Sequence, residues 1–461
     1  MRIAVIGAGI AGIGAAWLLS PQHSVDVYES ENRLGGHAYT VDLTVDGTTF
    51  PADSGFQVYN TRTYLNLIRF FDILGIEWTE TDMSFSVQVG AENIEWSGTS
   101  LNTVFAQRSN IVNPKFLSML AGVIGLSHDA DRLLADPEID QITLGELIER
   151  EGYPDAFTDW YLLPMGSAIW STPPGLLLDY PAGTFLRFCD NHGLLHVTGK
   201  PMWRSVAGGS RSYVARAAER ISGDVFVGEP VERVERSGIG VTVVTSRRRE
   251  EYDAVVIATH PPETLAMLAE PTDAEREVLG AFAYQPNHVT LHTDASFMPK
   301  KRRAWAAWNW YAETGDATKD MLTLTYWLND LQAMPEGVVP VFETLNENRP
   351  FADGTTLMPL CFMHPLFTAE AIVAQKRLPE IQGSGGVWYA GAWQRYGFHE
   401  DGLLSAVRVS ESLGAVVPWG GDLDETRTRV LGPEAARDGE HVPTARRAPT
   451  PMRNPTAEGS L

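Results

Sequence analysis

The sequence predicts an α/β protein in which a doubly wound, nucleotide-binding domain is interrupted by a second, α+β domain. Three observations predict it. The chain opens on an apolar strand, Ile3-Ala4-Val5-Ile6, that runs directly into G-x-G-x-x-G at Gly7, Gly9 and Gly12. A second strand over residues 24–28 follows the intervening helix and ends on an acid, Glu29. Apolar strands ending in small residues then return at 253–258 and 386–391, after two long excursions. Strand, glycine turn, helix and strand in this order form the front of a dinucleotide-binding βαβ unit.

Each element has a physical reason. Gly7 permits the tight turn, Gly9 lets the backbone approach a pyrophosphate, and Gly12 lets the helix over 11–19 pack on its strand. Ile10 and Ala11 open that helix, where free N–H groups and the positive dipole end face the phosphates. Glu29 lies seventeen residues after Gly12. An acid there suits a ribose hydroxyl and favours the unphosphorylated ribose of FAD or NAD over NADP. Ser30 follows, and the run to His37 contains a second glycine turn, Gly35-Gly36, with Arg33 two residues before it. Paired glycines would bring the backbone to the phosphates a second time, with a cation beside them.

Further along, residues 40–50 read as a hairpin turning at Asp46-Gly47, and 63–74 as a helix. Short strands follow over 80–100. Residues 113–195 are helical by period, broken by prolines, and could form a cap. Gly208-Gly209-Ser210 starts a helix to 218, and strands follow at 225–227, 231–235 and 241–245. Residues 270–378 are rich in strands and aromatics, at 288–293, 304–311 and 321–328. The last helix is expected from about 401 to 413. After Pro418 mixed charge, Pro, Thr and Gly replace apolar periodicity, so a disordered tail is expected over 419–461.

G-x-G-x-x-G followed by E-x-x-x-R-x-G-G resembles the flavin-containing amine oxidase superfamily, with its phytoene-desaturase-like members, in which both motifs hold FAD. The resemblance extends over most of residues 1–415. Asp53-Ser54-Gly55-Phe56-Gln57 resembles the segment passing near the flavin ring, which implies Gly55, Phe56 and Gln57 as cofactor contacts. Pro230-Val231 resembles the strand whose backbone meets the adenine. Tyr389-Ala390-Gly391-Ala392 resembles the turn closing over the ribityl and pyrophosphate. Asp401, Gly402 and Leu403 resemble the start of the last helix, whose N–H groups face the flavin N1–O2 edge. Longer stretches, such as Trp203–Ser210 and Gly397–Gly402, resemble a bacterial sub-branch akin to the flavin domain of some cyclopropane fatty acid synthases. The implied fold is a doubly wound FAD-binding Rossmann-type domain with an inserted α+β substrate domain, amine-oxidase-like. Residues 1–78, 196–268 and 380–418 would form the first domain, and 79–195 and 269–379 the second.

Departures from the family pattern matter. Ala392 stands where Asp or Glu is usual. His399 falls where amine oxidases place one tyrosine of the aromatic cage, and His288 near the lysine that holds a water at flavin N5. Lacking cage and lysine argues against straightforward amine oxidation. His399 and Glu400, expected just before the last helix, are the candidates for proton transfer, with helix capping as the bland alternative.

Composition narrows the partners. A net charge of −22 over 461 residues argues against nucleic acid or an anionic membrane as a general partner. Two cysteines, Cys189 and Cys361, fit neither a disulfide framework nor a metal site. A fingerprint starting at Ile3, without a leader or a membrane-length apolar run, predicts a cytoplasmic protein. Clustered tryptophans at 305, 308, 310, 327, 388 and 393 could line a flat pocket, with ordinary core packing as the alternative. Lys300-Lys301-Arg302-Arg303 reads first as a solvated hairpin turn, and otherwise as a contact for an acidic head group, a carrier protein or a membrane surface. Arg247-Arg248-Arg249 reads as solvated. The expected function is FAD-dependent hydride transfer between a hydrophobic substrate, such as an acyl chain or polyene, and flavin N5. The alternatives are a redox-neutral double-bond isomerase, an amine oxidase, and a non-catalytic FAD-binding partner of an acyl-modifying complex.

Overall fold

The computed structural model describes residues 1–195, 200–238 and 240–423. Its centre is a five-stranded parallel sheet with Arg2–Ile6 in the middle. Ser24–Tyr28 and then Val225–Phe226 lie on one side of that strand, Ala254–Ile257 and Val387–Tyr389 on the other. Val5 pairs with Val27 and with Val256, so the central strand is covered on both edges. Both faces are covered too, which is why these strands read as unbroken apolar runs. The chain leaves the central strand towards one side and returns on the other. This creates a switch point where the carboxyl ends of Arg2–Ile6 and Ala254–Ile257 open a crevice for a ligand.

The first helix, α1 (Ile10–Leu19), is buried along its whole length. It lies between the sheet and α4 (His399–Ser412), so no side of it needs polar residues. Small residues allow the close approach. A Cβ on Gly14 would stand 2.6 Å from Leu403 Cδ1, and one on Gly402 would stand 2.8 Å from Ile10 Cγ2.

The hairpin forms from Ala38–Val45 and Thr48–Gly55. Its turn residues Asp46 and Gly47 both have positive φ, 49° and 79°, as a two-residue hairpin twist requires. A second sheet has seven strands. In spatial order they are Thr356–Leu366, Ala283–His292, Phe342–Leu345, Leu324–Trp327, Trp308–Ala312, Phe85–Val89 and Ile94–Ser97. Strands from the two excursions therefore share one sheet, joined where Trp308–Ala312 runs parallel to Phe85–Val89. Helix α3 (Pro114–Leu134) and the helix Leu163–Trp170 pack on it through Phe116, Met119 and Ala168. Helix α2 (Leu65–Leu74) packs with α1 and α4 in the core of the first sheet.

Several details differ from expectation. The last helix starts at His399, so His399 and Glu400 lie inside its first turn. Residues 419–423 are docked rather than loose: Trp419 stacks on Trp17 and donates to Asn66 Oδ1 at 3.0 Å. The rest of the expected tail lies outside the described residues. Arg248 is half-buried, stacked on Phe226 and paired at 2.7 Å with the buried Glu229, because a buried carboxylate draws the nearest cation inwards. Lys300–Arg303 is exposed but enters a 3-10 turn instead of a hairpin.

Candidate active site

The two glycine turns form one unit. Gly7 has φ +92°, and a Cβ there would meet Ala258 O at 2.9 Å. A Cβ on Gly12 would fall 1.8 Å from Gly7 O, so the helix can only start this close to the strand without a side chain. Gly35 N–H donates to Ala8 O, and a Cβ on Gly36 would lie 3.1 Å from Gly9 Cα. The second turn thus buttresses the first. Gly9 itself has open space where a Cβ would stand, on the side facing the cavity.

Glu29 is buried at the strand end. Ala8 N–H donates to its Oε2 at 2.8 Å and Glu31 N–H to its Oε1 at 2.9 Å, with the Ser30 hydroxyl close by. Arg33 stacks on Tyr39 with 3.8 Å between guanidinium and ring, and burial pulls its pKa down.

A single cavity of about 1630 Å³ starts at these turns. Its volume exceeds the roughly 300–1,000 Å³ of ordinary small-molecule pockets, leaving room for a dinucleotide and a second molecule. Gly7, Gly9, Ile10, Ala11, Glu29, Ser30, Arg33 and Val231 line the end at the first sheet. Gly36, His37, Gly55, Phe56, Gln57, Gly391, Ala392 and His399 line the middle. Trp308, Tyr326, Glu343, Leu345 and Phe362 form the wall from the seven-stranded sheet, and Leu120, Tyr161, Met165, Trp170 and Phe188 the wall from the helical block. Of the clustered tryptophans, Trp308 and Trp393 reach the cavity; Trp310 is core.

Six of the expected site residues are not in the lining. Gly12 and Gly35 shape the turns from behind. Asp401 accepts from Phe398 N–H at 2.9 Å and closes the start of α4. Gly402 and Leu403 pack on α1. Glu400 points the other way, to the start of α2. Its Oε1 accepts from Asn66 N–H at 2.9 Å and Asn66 Nδ2 at 2.7 Å, and its Oε2 from Leu67 N–H at 2.9 Å. That side chain caps α2 and does not line the cavity, which corrects its expected role in proton transfer.

His399 does line the cavity, but it is placed as a wall. It stacks on Phe56 at 3.7 Å, and its Nε2 sits 3.2 Å from the Tyr213 hydroxyl. Burial pulls its pKa down to about 3, so near neutral pH it is an uncharged imidazole and a poor proton carrier. His288 is exposed, with its N–H on Asn346 Oδ1 at 2.9 Å. The alternation of the strand Ala283–His292 turns Val289 to the cavity instead.

One residue was not singled out from the sequence. Glu343 is 3 % exposed on the strand Phe342–Leu345 and lines the cavity. Its Oε1 accepts from Gln57 Nε2 at 2.9 Å, while Oε2 has no hydrogen-bond partner among the described residues. Burial pushes its pKa up to about 8. The only sequence signal was an acid inside an apolar strand, F-E-T-L. Nearby, His37, His260 and His364 cluster with ring centroids 5.4 and 6.3 Å from His37. Burial lowers His364 to about 4 and holds His37 well below its ordinary value, so both favour the neutral form.

The residues present fit a bound FAD. The open face at Gly9 leaves room for phosphates, and buried polar atoms without partners among the described residues, His37 Nε2, Gln57 Oε1, Glu343 Oε2 and Trp393 Nε1, belong to residues lining the cavity. Residues 10–345 match the sequence pattern of flavin-containing amine oxidoreductases, and the chain belongs to that family. FAD is its cofactor and oxidoreduction its class of chemistry. Among curated proteins, AofH of Mycobacterium tuberculosis, named as a flavin-containing monoamine oxidase, is 27 % identical over 284 residues, covering 58 % of this chain and 59 % of its own. The carotenoid phi-ring synthase of Streptomyces griseus is 28 % identical over 279 residues, 56 % of this chain and 52 % of its own. The alignments therefore span little more than half of these relatives. A solved putrescine oxidase superposes with a TM-score of 0.65 at 14 % identity, over 90 % of this chain and 99 % of its own, which shows a shared fold.

Proposed function

We propose that the protein oxidises or desaturates a hydrophobic substrate, of the acyl-chain or polyene kind, at a carbon held beside the flavin. The observation that carries this reading is the single cavity running from the glycine turns to an apolar and aromatic wall. The carotenoid enzyme among the relatives supports a substrate of this kind.

FAD, when bound, supplies hydride acceptance at N5; the chain supplies position, dryness and proton handling. Gly7, Gly9 and the α1 start hold the phosphates, Glu29 the ribose, and Arg33 adds a cation. Phe56, stacked on His399, forms a flat neutral wall. The aromatic side chains exclude water. Glu343 Oε2 is the group that accepts the proton the substrate releases, with Gln57 orienting the carboxylate through Oε1.

The test is anaerobic titration of the holoprotein with fatty acyl compounds, polyenes and amines, followed by flavin absorbance. Bleaching by a hydrophobic compound is expected. Bleaching by amines alone would return the protein to amine oxidation. Tight FAD that no compound reduces would make it a binding partner without turnover.

A further inference from the structure

We propose that the face made by Leu101–Val104, Arg108–Val112 and α3, elements that share lining residues with the cavity, is a docking surface for an anionic lipid bilayer. Large apolar side chains that belong in a core stand in solvent there. Leu101 is 80 % exposed, Val112 79 % and Ile124 66 %, with Ile111 and Leu117 beside them in sequence. Helix α3 buries Phe116, Met119, Leu126 and Leu133 on one face. Leu117, Leu120 and Ile124, spaced i, i+3 and i+7, make a stripe along a different face. An apolar face that no described residue covers marks an interaction site.

A basic turn is built beside it. The buried carboxylate of Glu95, on the strand Ile94–Ser97, accepts from the backbone N–H of Lys300 at 3.0 Å and of Lys301 at 2.8 Å. The short helix Leu101–Val104 packs on the same 302–304 turn. The clamp holds the backbone inwards and leaves the side chains of Lys300, Lys301 and Arg303 exposed, with no ion pair to a described residue. In a chain of net charge −22 this is a local reversal of sign. Anionic headgroups are attracted to such clustered cations, and exposed apolar side chains enter the boundary between headgroups and acyl chains. An acidic soluble partner would match the charges but leave the α3 stripe unexplained.

The face is continuous with the cavity. Leu101, Val104, Leu120 and Val123 all line it, so a lipid-borne molecule could pass inwards without crossing water. This use of the surface rests on the hydrophobic-substrate reading; the binding itself does not.

Flotation of the holoprotein with vesicles tests it. Vesicles of phosphatidylcholine alone are compared with phosphatidylcholine mixed with phosphatidylglycerol, at low and high salt. Binding is expected to the mixed vesicles and to weaken with salt. The triple variant Lys300→Glu, Lys301→Glu, Arg303→Glu should lose about tenfold or more. The pair Val112→Asp, Ile124→Asp should lose a similar factor. Both should keep the flavin spectrum and melting temperature. Wild-type protein that floats no better with the anionic lipid, or variants that bind like wild type, would overturn the proposal. So would a dimer in solution that the apolar pair dissociates, which would give the face to a second copy. A protein that floats while no hydrophobic compound bleaches its flavin keeps this surface and loses the substrate reading; the reverse loses the surface alone.

Discussion

Glu343 is a carboxyl group whose environment sets its task. On the strand Phe342–Leu345 it is buried, with one oxygen accepting from Gln57 and the other without a hydrogen-bond partner among the described residues. With its pKa near 8, the proton-accepting form grows as pH rises towards 8. Turnover should therefore climb with pH and level off above about 8. Glu343→Gln should flatten that profile and lower kcat on the order of 10²–10⁴-fold, measured in steady-state assays across pH. His399 should contribute no break near neutrality, since burial holds it uncharged. Residues such as Gly7, Gly9 and Glu29 could be assigned from the chain because their roles depend on backbone geometry within one βαβ unit. Glu343 could not. Its importance comes from Gln57, a residue 286 positions away.

At the level of elements, the contact between α4 and α2 replaces the proton relay expected at its start. Glu400 satisfies two backbone N–H groups at the first turn of α2 and the side chain of Asn66. Glu400→Ala would leave these donors buried without an acceptor. A loss of about 2–5 kcal/mol is expected, read by thermal or urea unfolding. The same variant should bind FAD with an unchanged spectrum wherever it remains folded, which separates capping from chemistry. The helix itself was legible from periodicity, but the direction of its first turn was not. A polar pair before a helix reads the same whether it faces a ligand or another helix, and here α2 decided.

For the whole molecule, the cavity lies between the parallel sheet and the seven-stranded sheet, and both contribute walls. A ligand that fills it should tie the two together. Adding FAD to apoprotein at about 100 times its Kd should raise stability by about 2.7 kcal/mol, seen as a single melting transition shifted upwards. Two transitions, with only one responding to FAD, would mean that the second sheet contributes nothing to holding the cofactor. The buried Glu343 adds a pH term of known sign. Its folded pKa lies above the ordinary carboxyl value of 4.5, so the folded state holds that proton more tightly than the unfolded chain. This contribution is fully present below about 4.5 and is lost as pH rises through about 8.

The chain by itself determined the two glycine turns at which the cavity starts. Gly7, Gly12, Gly35 and Gly36 act through φ angles and close approaches that the turns require. It also determined the all-apolar strands that make the sheet parallel and buried, because burial on both faces leaves a mark in every residue. Only the tertiary structure decided what surrounds the reacting end. Strand alternation put Val289 rather than His288 at the cavity, and helix packing turned Glu400 away from it. The wall brought Glu343 next to Gln57. Those outcomes depend on which face of an element meets a partner hundreds of residues distant, a quantity that local sequence does not encode.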